Sequence, residues 1–230
     1  MNNKAPLPEA APTARRVGPG PGRPPRGQAQ QREQELLETA LDLFLIHGYE
    51  GTSIEKIAAT LGMAKRTIYA LYPDKKALFM ASLQRAINEW IVPIEELREL
   101  ECDDLAETLT RIGQRLVDNV LTPQGIRLMR ITNAESGRMP EISAYTYEQG
   151  TGPTLAYLTD LFTRRTDSPV AEAASREVAL AFLYLIVSGP ANMTAWGIAV
   201  DPGDIQRRIR FSVQLFLNGF RAESTLKALR

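Results

Sequence analysis

Between Ile54 and Pro73 a small residue, a glycine and five apolar residues fall at the spacing that two short helices joined by a tight turn require. Ala58 stands one turn before the break, where crossing helices tolerate little beyond a methyl group, and Gly62 stands where the connecting turn needs a positive φ. Ile57, Leu61, Met63, Ile68 and Leu71 supply the apolar contacts that lock one helix across the other. Each residue is common by itself, but their agreement in register specifies a helix-turn-helix.

The boundaries follow from capping. Thr52 as N-cap with Glu55 three residues on completes a capping box, which predicts a helix over Ile54 to Thr60 ending at Gly62. The second helix, Ala64 to Leu71, turns Ile68 and Leu71 inward and leaves Lys65, Arg66, Thr67, Tyr69, Ala70 and Tyr72 facing solvent or a partner. Two long cations, a hydroxyl, a methyl and two phenols can bond phosphate and guanine edges and touch the thymine methyl, the inventory for reading a major groove. The plain alternative, a structural helix pair with a decorated surface, has to be weighed against the flanks.

Ahead of the pair, Leu36, Leu37, Ala40, Leu41 and Phe44 repeat at three- and four-residue spacings over a helix from Gln30 to His47. It ends in Gly48-Tyr49-Glu50-Gly51-Thr52-Ser53, and Tyr72-Pro73-Asp74-Lys75-Lys76-Ala77-Leu78-Phe79 follows the pair. From Gln30 to Phe79 the chain resembles the DNA-binding domain of the TetR family of transcriptional regulators. That resemblance implies an all-α protein: a three-helix helix-turn-helix head, a linking helix, and a larger helical body that dimerises through a four-helix bundle. It implies DNA contacts from Lys65, Arg66, Thr67, Tyr69 and Ala70 on the recognition helix, from Tyr72 just beyond it, and from Thr52, Ser53 and Lys75 to phosphates at helix starts. Three positions depart from the family pattern. Ala64 stands where a Ser cap is frequent, so the recognition helix is expected to be frayed at its start before DNA orders it. Arg66 replaces a frequent Gly and adds a guanine reader worth about 1 to 3 kcal/mol of discrimination if bidentate. Asp74 replaces a frequent Ser; it caps the fourth helix but repels a phosphate there.

The formal charge of zero looks wrong for a DNA binder. Residues 1–80, however, carry eleven Lys/Arg against eight Asp/Glu, and residues 81–230 carry sixteen against nineteen, so a net +3 and a net −3 cancel. Residues 1–28 hold seven of the fifteen prolines, four glycines and Lys4, Arg15, Arg16, Arg23 and Arg26 against Glu9 alone, a composition that predicts a disordered basic arm and not a signal peptide. Gly22-Arg23-Pro24 resembles the arm that some family members lay along the minor groove, where Arg23 or Arg26 would meet a focused negative potential; a flexible solubilising leader is the equal alternative. The expected domains are therefore the arm at 1–28, the DNA-binding head at 29–80, and a ligand-binding and dimerisation body at 81–230.

The body reads as helix throughout. Leu105, Leu109, Ile112, Leu116 and Val120 make one stripe; Thr122-Pro123 starts a helix through Met129; a break at Gly137 to Pro140 precedes Ile142 and Tyr145; a kink is expected at Gly150 to Pro153; Ser168-Pro169 and Asp201-Pro202 mark further starts. Val178 to Val187 is apolar without interruption and must be buried on every side. The last helix carries Ile205, Ile209, Val213, Phe216 and Phe220 on one stripe and Phe211 and Leu215 on another flank. Pairing these two helices with their copies in a second chain gives an isologous four-helix interface. A membrane span over 178–200 is the competitor, and Gly189-Pro190 argues against it by leaving about eleven helical residues before the break, too few for a core of about 30 Å.

A homodimer reads a palindromic operator in double-stranded DNA, and family members typically bind a small molecule in the body and release DNA. Trp90, Met129, Tyr145, Tyr147, Phe182, Met193 and Trp196 are the candidate lining of an effector site, suited to an apolar or aromatic molecule, although such residues are more often plain core. Catalysis finds little support. His47 is the only histidine, placed to bond carbonyls at a helix end, and Cys102 the only cysteine, so no metal, cofactor or disulfide framework is expected and the reading is cytoplasmic and non-enzymatic. The main expectation is a dimeric, ligand-responsive repressor. The alternative is a helical small-molecule binding or enzymatic protein whose head no longer binds DNA.

Overall fold

The structure is a computed structural model describing residues 26–165, 174–198 and 200–221, so Arg23 and the helix start at Ser168-Pro169 lie outside the described residues. Among these no strand occurs. The helices are α1 (Arg26–His47), α2 (Ile54–Leu61), α3 (Lys65–Leu71), α4 (Lys75–Trp90), α5 (Ile94–Glu99), α6 (Leu105–Val120), α7 (Pro123–Glu135), α8 (Pro140–Thr146), α9 (Gly152–Arg164), α10 (Ser175–Leu183), α11 (Gly189–Ala195) and α12 (Pro202–Arg221), with π-helical turns at Tyr147–Thr151 and Tyr184–Ser188. Residues up to Glu35 and Leu36–Arg230 form two compact units. The described part of the first is an exposed stretch of α1, on which Gln31 donates to Glu35 at 3.4 Å.

Within Leu36–Arg230 the helix starts follow their capping residues. Asp74 Oδ1 accepts from the Ala77 amide at 2.7 Å, Asp104 Oδ1 from Ala106 at 2.7 Å, Thr122 from Gly125 at 3.0 Å and Asp201 Oδ1 from Gly203 at 2.8 Å. The cap of α2 is displaced by one residue from expectation. Ser53 accepts from Lys56, while Thr52 is buried and donates to the carbonyls of Leu43 at 3.0 Å and Gly48 at 2.9 Å. The capping box is thereby corrected, because Thr52 ties the α1–α2 corner and Glu55 turns elsewhere. His47 is exposed, and the Gly48 amide, not the imidazole, takes the Phe44 carbonyl at 2.8 Å.

Two further expectations are corrected in the body. α7 runs to Glu135, past Met129. Gly189-Pro190 does not break its helix but follows a π-turn that carries it through, so Ser175–Ala195 is one rod of 21 residues, and the kink or restart expected at Gly150 to Pro153 takes the form of a like π-turn after which the helix continues. The broken-helix argument against a membrane span therefore fails, and the rod is long and apolar enough for one by length and composition. Its inner face belongs to the protein's own core: Val178, Ala179, Phe182 and Ile186 are buried with Leu109, Ile112 and Val117 of α6, Leu158, Leu161 and Phe162 of α9, and Ile205, Ile209 and Val213 of α12. Burial on every side is not what this chain alone achieves, since Tyr184 is 63% exposed. Phe211 and Leu215 of α12 are likewise 67% and 55% exposed.

A second apolar cluster is built from Leu36, Ala40 and Phe44 of α1, Ile54, Ile57 and Ala58 of α2, Ile68 of α3 and Leu78, Phe79 and Leu83 of α4. It is completed by Leu128 and Ile131 of α7, Met139 in the corner after it, and Ile142 of α8. The helix-turn-helix core is thus closed by residues far along the chain, and α4 lies along this cluster from Leu78 to Ile87, with Val92 just beyond its end in the other.

Candidate nucleic-acid interface and effector cavity

The α2–α3 turn has the geometry its residues require. Gly62 lies at φ 62°, ψ 27°, its amide reaches back to the last turn of α2, and Met63 N–H bonds the Ala58 carbonyl at 2.9 Å, closing the C-terminal motif. Ala58 is 4% exposed at the crossing. α3 starts at Lys65 with Ala64 as its N-cap and no side-chain cap.

On α3 only Ile68 is fully buried. Lys65, Arg66, Thr67, Tyr69 and Ala70 are exposed, and Ser53 is exposed at the start of α2. Leu71, expected inward, is 46% exposed, because α3 ends there and its last turn no longer faces the core. Tyr72 is the C-cap and packs half-buried against the apolar cluster, so it is less available than expected. Thr52 is withdrawn from the DNA-contacting set: its hydroxyl is spent inside the fold. Lys75 is also engaged. Its ammonium donates to the Tyr49 carbonyl at 2.9 Å and lies 4.2 Å from the centre of the Tyr49 ring, so it buttresses the α1–α2 corner instead of standing free for phosphate.

Electrostatics arrange the remaining cations. Lys65 pairs with Glu55 at 2.9 Å, and the hydrogen bond holds the Glu55 carboxyl below the usual carboxylate range. Both are exposed, so the pair is weak and exchangeable for a phosphate. Lys76 pairs with Glu141 of α8, and Arg138 with Glu50 at 3.2 Å, linking the α7–α8 corner to the helix-turn-helix. Burial first, then the charges of Asp74 and Glu50, push the Tyr49 phenol above its usual range. Arg66 has no ion pair among the described residues, which leaves its guanidinium available to an incoming base edge or phosphate.

A cavity of about 400 Å³ opens among α4, α6, α7, the first π-turn and the rod. Of the residues proposed from sequence, Trp90 and Met129 line it. Tyr145 instead donates to Asn88 at 2.9 Å, Phe182 is fully buried against Phe162 and Phe216, Met193 is approached by Arg208 at 3.8 Å, Trp196 is 74% exposed and Tyr147 borders a separate groove. Those five are corrected as cavity residues; being large and apolar does not place a side chain on one particular void. Sequence reasoning missed the polar lining, including Asn119, Thr132, Asn133 and Asn192. Among the described residues, no charged one lines the cavity. Trp90 connects it to the end of α4: its Nε1 donates to the Asn119 carbonyl at 3.0 Å and Asn119 Nδ2 returns a bond to the Trp90 carbonyl at 2.8 Å. Arg115 in turn holds the Asn119 side-chain oxygen at 3.2 Å and pairs with Glu96.

Comparison with known proteins gives matching assignments for both halves. Residues 36–81 match the family model described as bacterial regulatory proteins, tetR family, and residues 107–222 match the AefR-like transcriptional repressor C-terminal domain. The HTH-type transcriptional regulator RutR of Escherichia coli is 34% identical over 68 residues, 30% of this chain and 32% of that protein, so the chain covers about a third of that relative's length. A TetR-family transcriptional regulator from Mesorhizobium loti shares the fold at a TM-score of 0.71 with 24% identity, covering 83% of this chain and 97% of that one. The flavonoid-responsive regulator FrrA superposes at a TM-score of 0.64 with 25% identity, covering 82% and 96%.

Proposed function

Because the chain belongs to the TetR family, we propose that it is a homodimeric transcriptional repressor that binds a palindromic operator in double-stranded DNA and releases it when a small molecule enters the body. We draw its DNA-binding head at 29–80 and its ligand-binding and dimerisation body at 81–230, with Arg23 of the 1–28 arm as a further minor-groove contact. The observation that carries the reading is α4, which shares the helix-turn-helix core at one end and supplies Trp90 to an uncharged cavity at the other.

On DNA, α3 enters the major groove. Arg66 reads a base edge, Thr67, Tyr69 and Ala70 contact neighbouring edges and sugars, and Lys65 exchanges Glu55 for a phosphate with help from Ser53. Two heads reading half-sites about 34 to 36 Å apart make affinity sensitive to head separation. An effector wedged against Trp90 disturbs its paired bonds to Asn119, shifts α4, and needs to couple the sites by only about 1 to 3 kcal/mol. The likeness to a flavonoid-responsive regulator supports an apolar or aromatic effector. Tyr184 of the rod and Phe211 and Leu215 of α12, all exposed, are the apolar side chains that the second chain covers, making the four-helix interface. The buried inner face of the rod supports its reading as body core instead of a membrane span, and a cytoplasmic, non-enzymatic role follows from the family.

Fluorescence anisotropy with labelled DNA from upstream of the protein's own gene tests this reading. Nanomolar, salt-sensitive binding that competitor DNA of unrelated sequence does not displace supports it. Equal, weak binding to every sequence rejects it in favour of a ligand-binding protein with an inactive head.

A further inference from the structure

The chain uses one seven-residue pattern twice. Tyr147-Glu148-Gln149-Gly150-Thr151-Gly152-Pro153 and Tyr184-Leu185-Ile186-Val187-Ser188-Gly189-Pro190 both read Tyr, three residues, Thr or Ser, Gly, Pro. In both, the first five residues are the π-helical turn and the proline stands second in the helix that follows. The physics is shared. Proline brings no amide and its ring collides with the carbonyl four residues back, and a wider turn ahead of it removes the collision. The preceding residue must stay helical, which a Cβ would resist; Gly152 at φ −59°, ψ −53° and Gly189 at φ −62°, ψ −61° do so freely.

Both turns border the same cavity, and the hydroxyl-bearing residues at the fifth position of each pattern, exposed Thr151 and half-buried Ser188, belong to its lining. Neither hydroxyl has a hydrogen-bond partner among the described residues. Thr146 and Thr154, which also line the space, spend theirs on the carbonyls of Ile142 at 2.8 Å and Gly150 at 3.0 Å. Thr132 and Tyr184 bring two further hydroxyls to the wall, and the remainder is apolar, indole or amide, with Asn133 and Asn192 also unbonded through their side chains among the described residues.

These facts restrict the occupant. A carboxylate or ammonium would lose its water shell with no counter-charge in the lining, and a bare hydrocarbon would strip water from Thr151 and Ser188 with nothing in return. Resting on the effector reading above, we propose that the paired turns form a hydroxyl clamp, and that the effector is an uncharged aromatic molecule carrying at least two hydroxyl or carbonyl oxygens.

Isothermal titration calorimetry of the full chain at pH 7 with naphthalene-2,6-diol, 2-naphthol and naphthalene-2,6-dicarboxylate tests the clamp. The diol is expected to bind, 2-naphthol about five-fold more weakly, and the dicarboxylate about a hundred-fold more weakly or not at all. Thr151→Val and Ser188→Ala should each weaken the diol about five-fold, whereas Thr151→Ser should keep the affinity. Undiminished binding in both clamp variants, equal binding of the dicarboxylate, or no binding of the diol at its solubility limit overturns the proposal. Val187→Trp, which fills the cavity, separates the two readings. If that variant, folded by circular dichroism, still binds the diol as wild type does, the cavity itself is not the effector site; loss there with unaffected clamp variants rejects only the clamp.

Discussion

Thr52 and Ser53 carry the same functional group one position apart and put it to opposite uses. Ser53 faces out and caps α2, while Thr52 turns in and bonds two carbonyls of the α1–α2 corner. Thr52→Val should therefore lower unfolding stability by about 1 to 3 kcal/mol in urea titration, by stranding acceptors, and leave the salt slope of DNA binding untouched. Local capping rules could not choose between the two hydroxyls, because what decides is burial set by Leu43 and Gly48 upstream. The same holds for Lys75, whose partner Tyr49 is 26 residues away. Lys75→Met should cost about 1 kcal/mol of stability with the salt slope unchanged, whereas Lys65→Met should flatten that slope by about 0.9. Arg66→Ala should relax preference at one base pair; equal losses across every single-base variant of the operator would remove it from the readers.

Element by element, the starts marked by a capping oxygen were legible, whereas α1 begins at Arg26, ahead of the expected Gln30, and the continuations were not legible. Asp74, Thr122-Pro123 and Asp201-Pro202 announce α4, α7 and α12 through side-chain oxygens that must bond free amides nearby, which is local chemistry. Whether Gly-Pro stops a helix or is bridged by a π-turn depends on packing either side of it, and only the fold supplies that. Elements also meet through groups whose burial no window of sequence reveals. Tyr157 of α9 is 3% exposed and donates to the Leu97 carbonyl and to Glu101, both at 3.1 Å. Burial, then the Glu101 charge, raises its phenol, so the native chain holds this proton more tightly than the unfolded one. Stability from that bond is complete below the unfolded value of about 10 and is lost as pH rises through the native value. Tyr157→Phe should cost about 1 to 2 kcal/mol at pH 7 and blunt the alkaline fall in stability seen in urea titrations above pH 10.

For the molecule as a whole, the sequence showed apolar surface in excess of one chain's needs, and Phe211 and Leu215 stand exposed on one side of α12. Phe211→Glu combined with Leu215→Glu should convert a dimer to a monomer in sedimentation velocity without loss of helical signal. DNA affinity should then fall by about a hundred-fold or more, since a lone head forfeits the effective concentration of its twin. Retained dimers would place the second chain elsewhere. The cavity escaped the sequence because it is a joint property of several helices: Trp90 and Met129 reach it, Phe182 on the adjoining rod does not. The head was legible because its turn and caps are local and most of its core is drawn from the single segment Leu36 to Ile87, apart from the α7–α8 corner that closes it.

Chemical footprinting of the full chain on DNA from upstream of its own gene tests the recognition surface most directly. The account predicts two protected half-sites related by a dyad and about 34 to 36 Å apart, erased when Lys65, Arg66 and Tyr69 are together replaced by Ala. Unbroken coverage without dyad symmetry, or the same footprint from the triple variant, would contradict it.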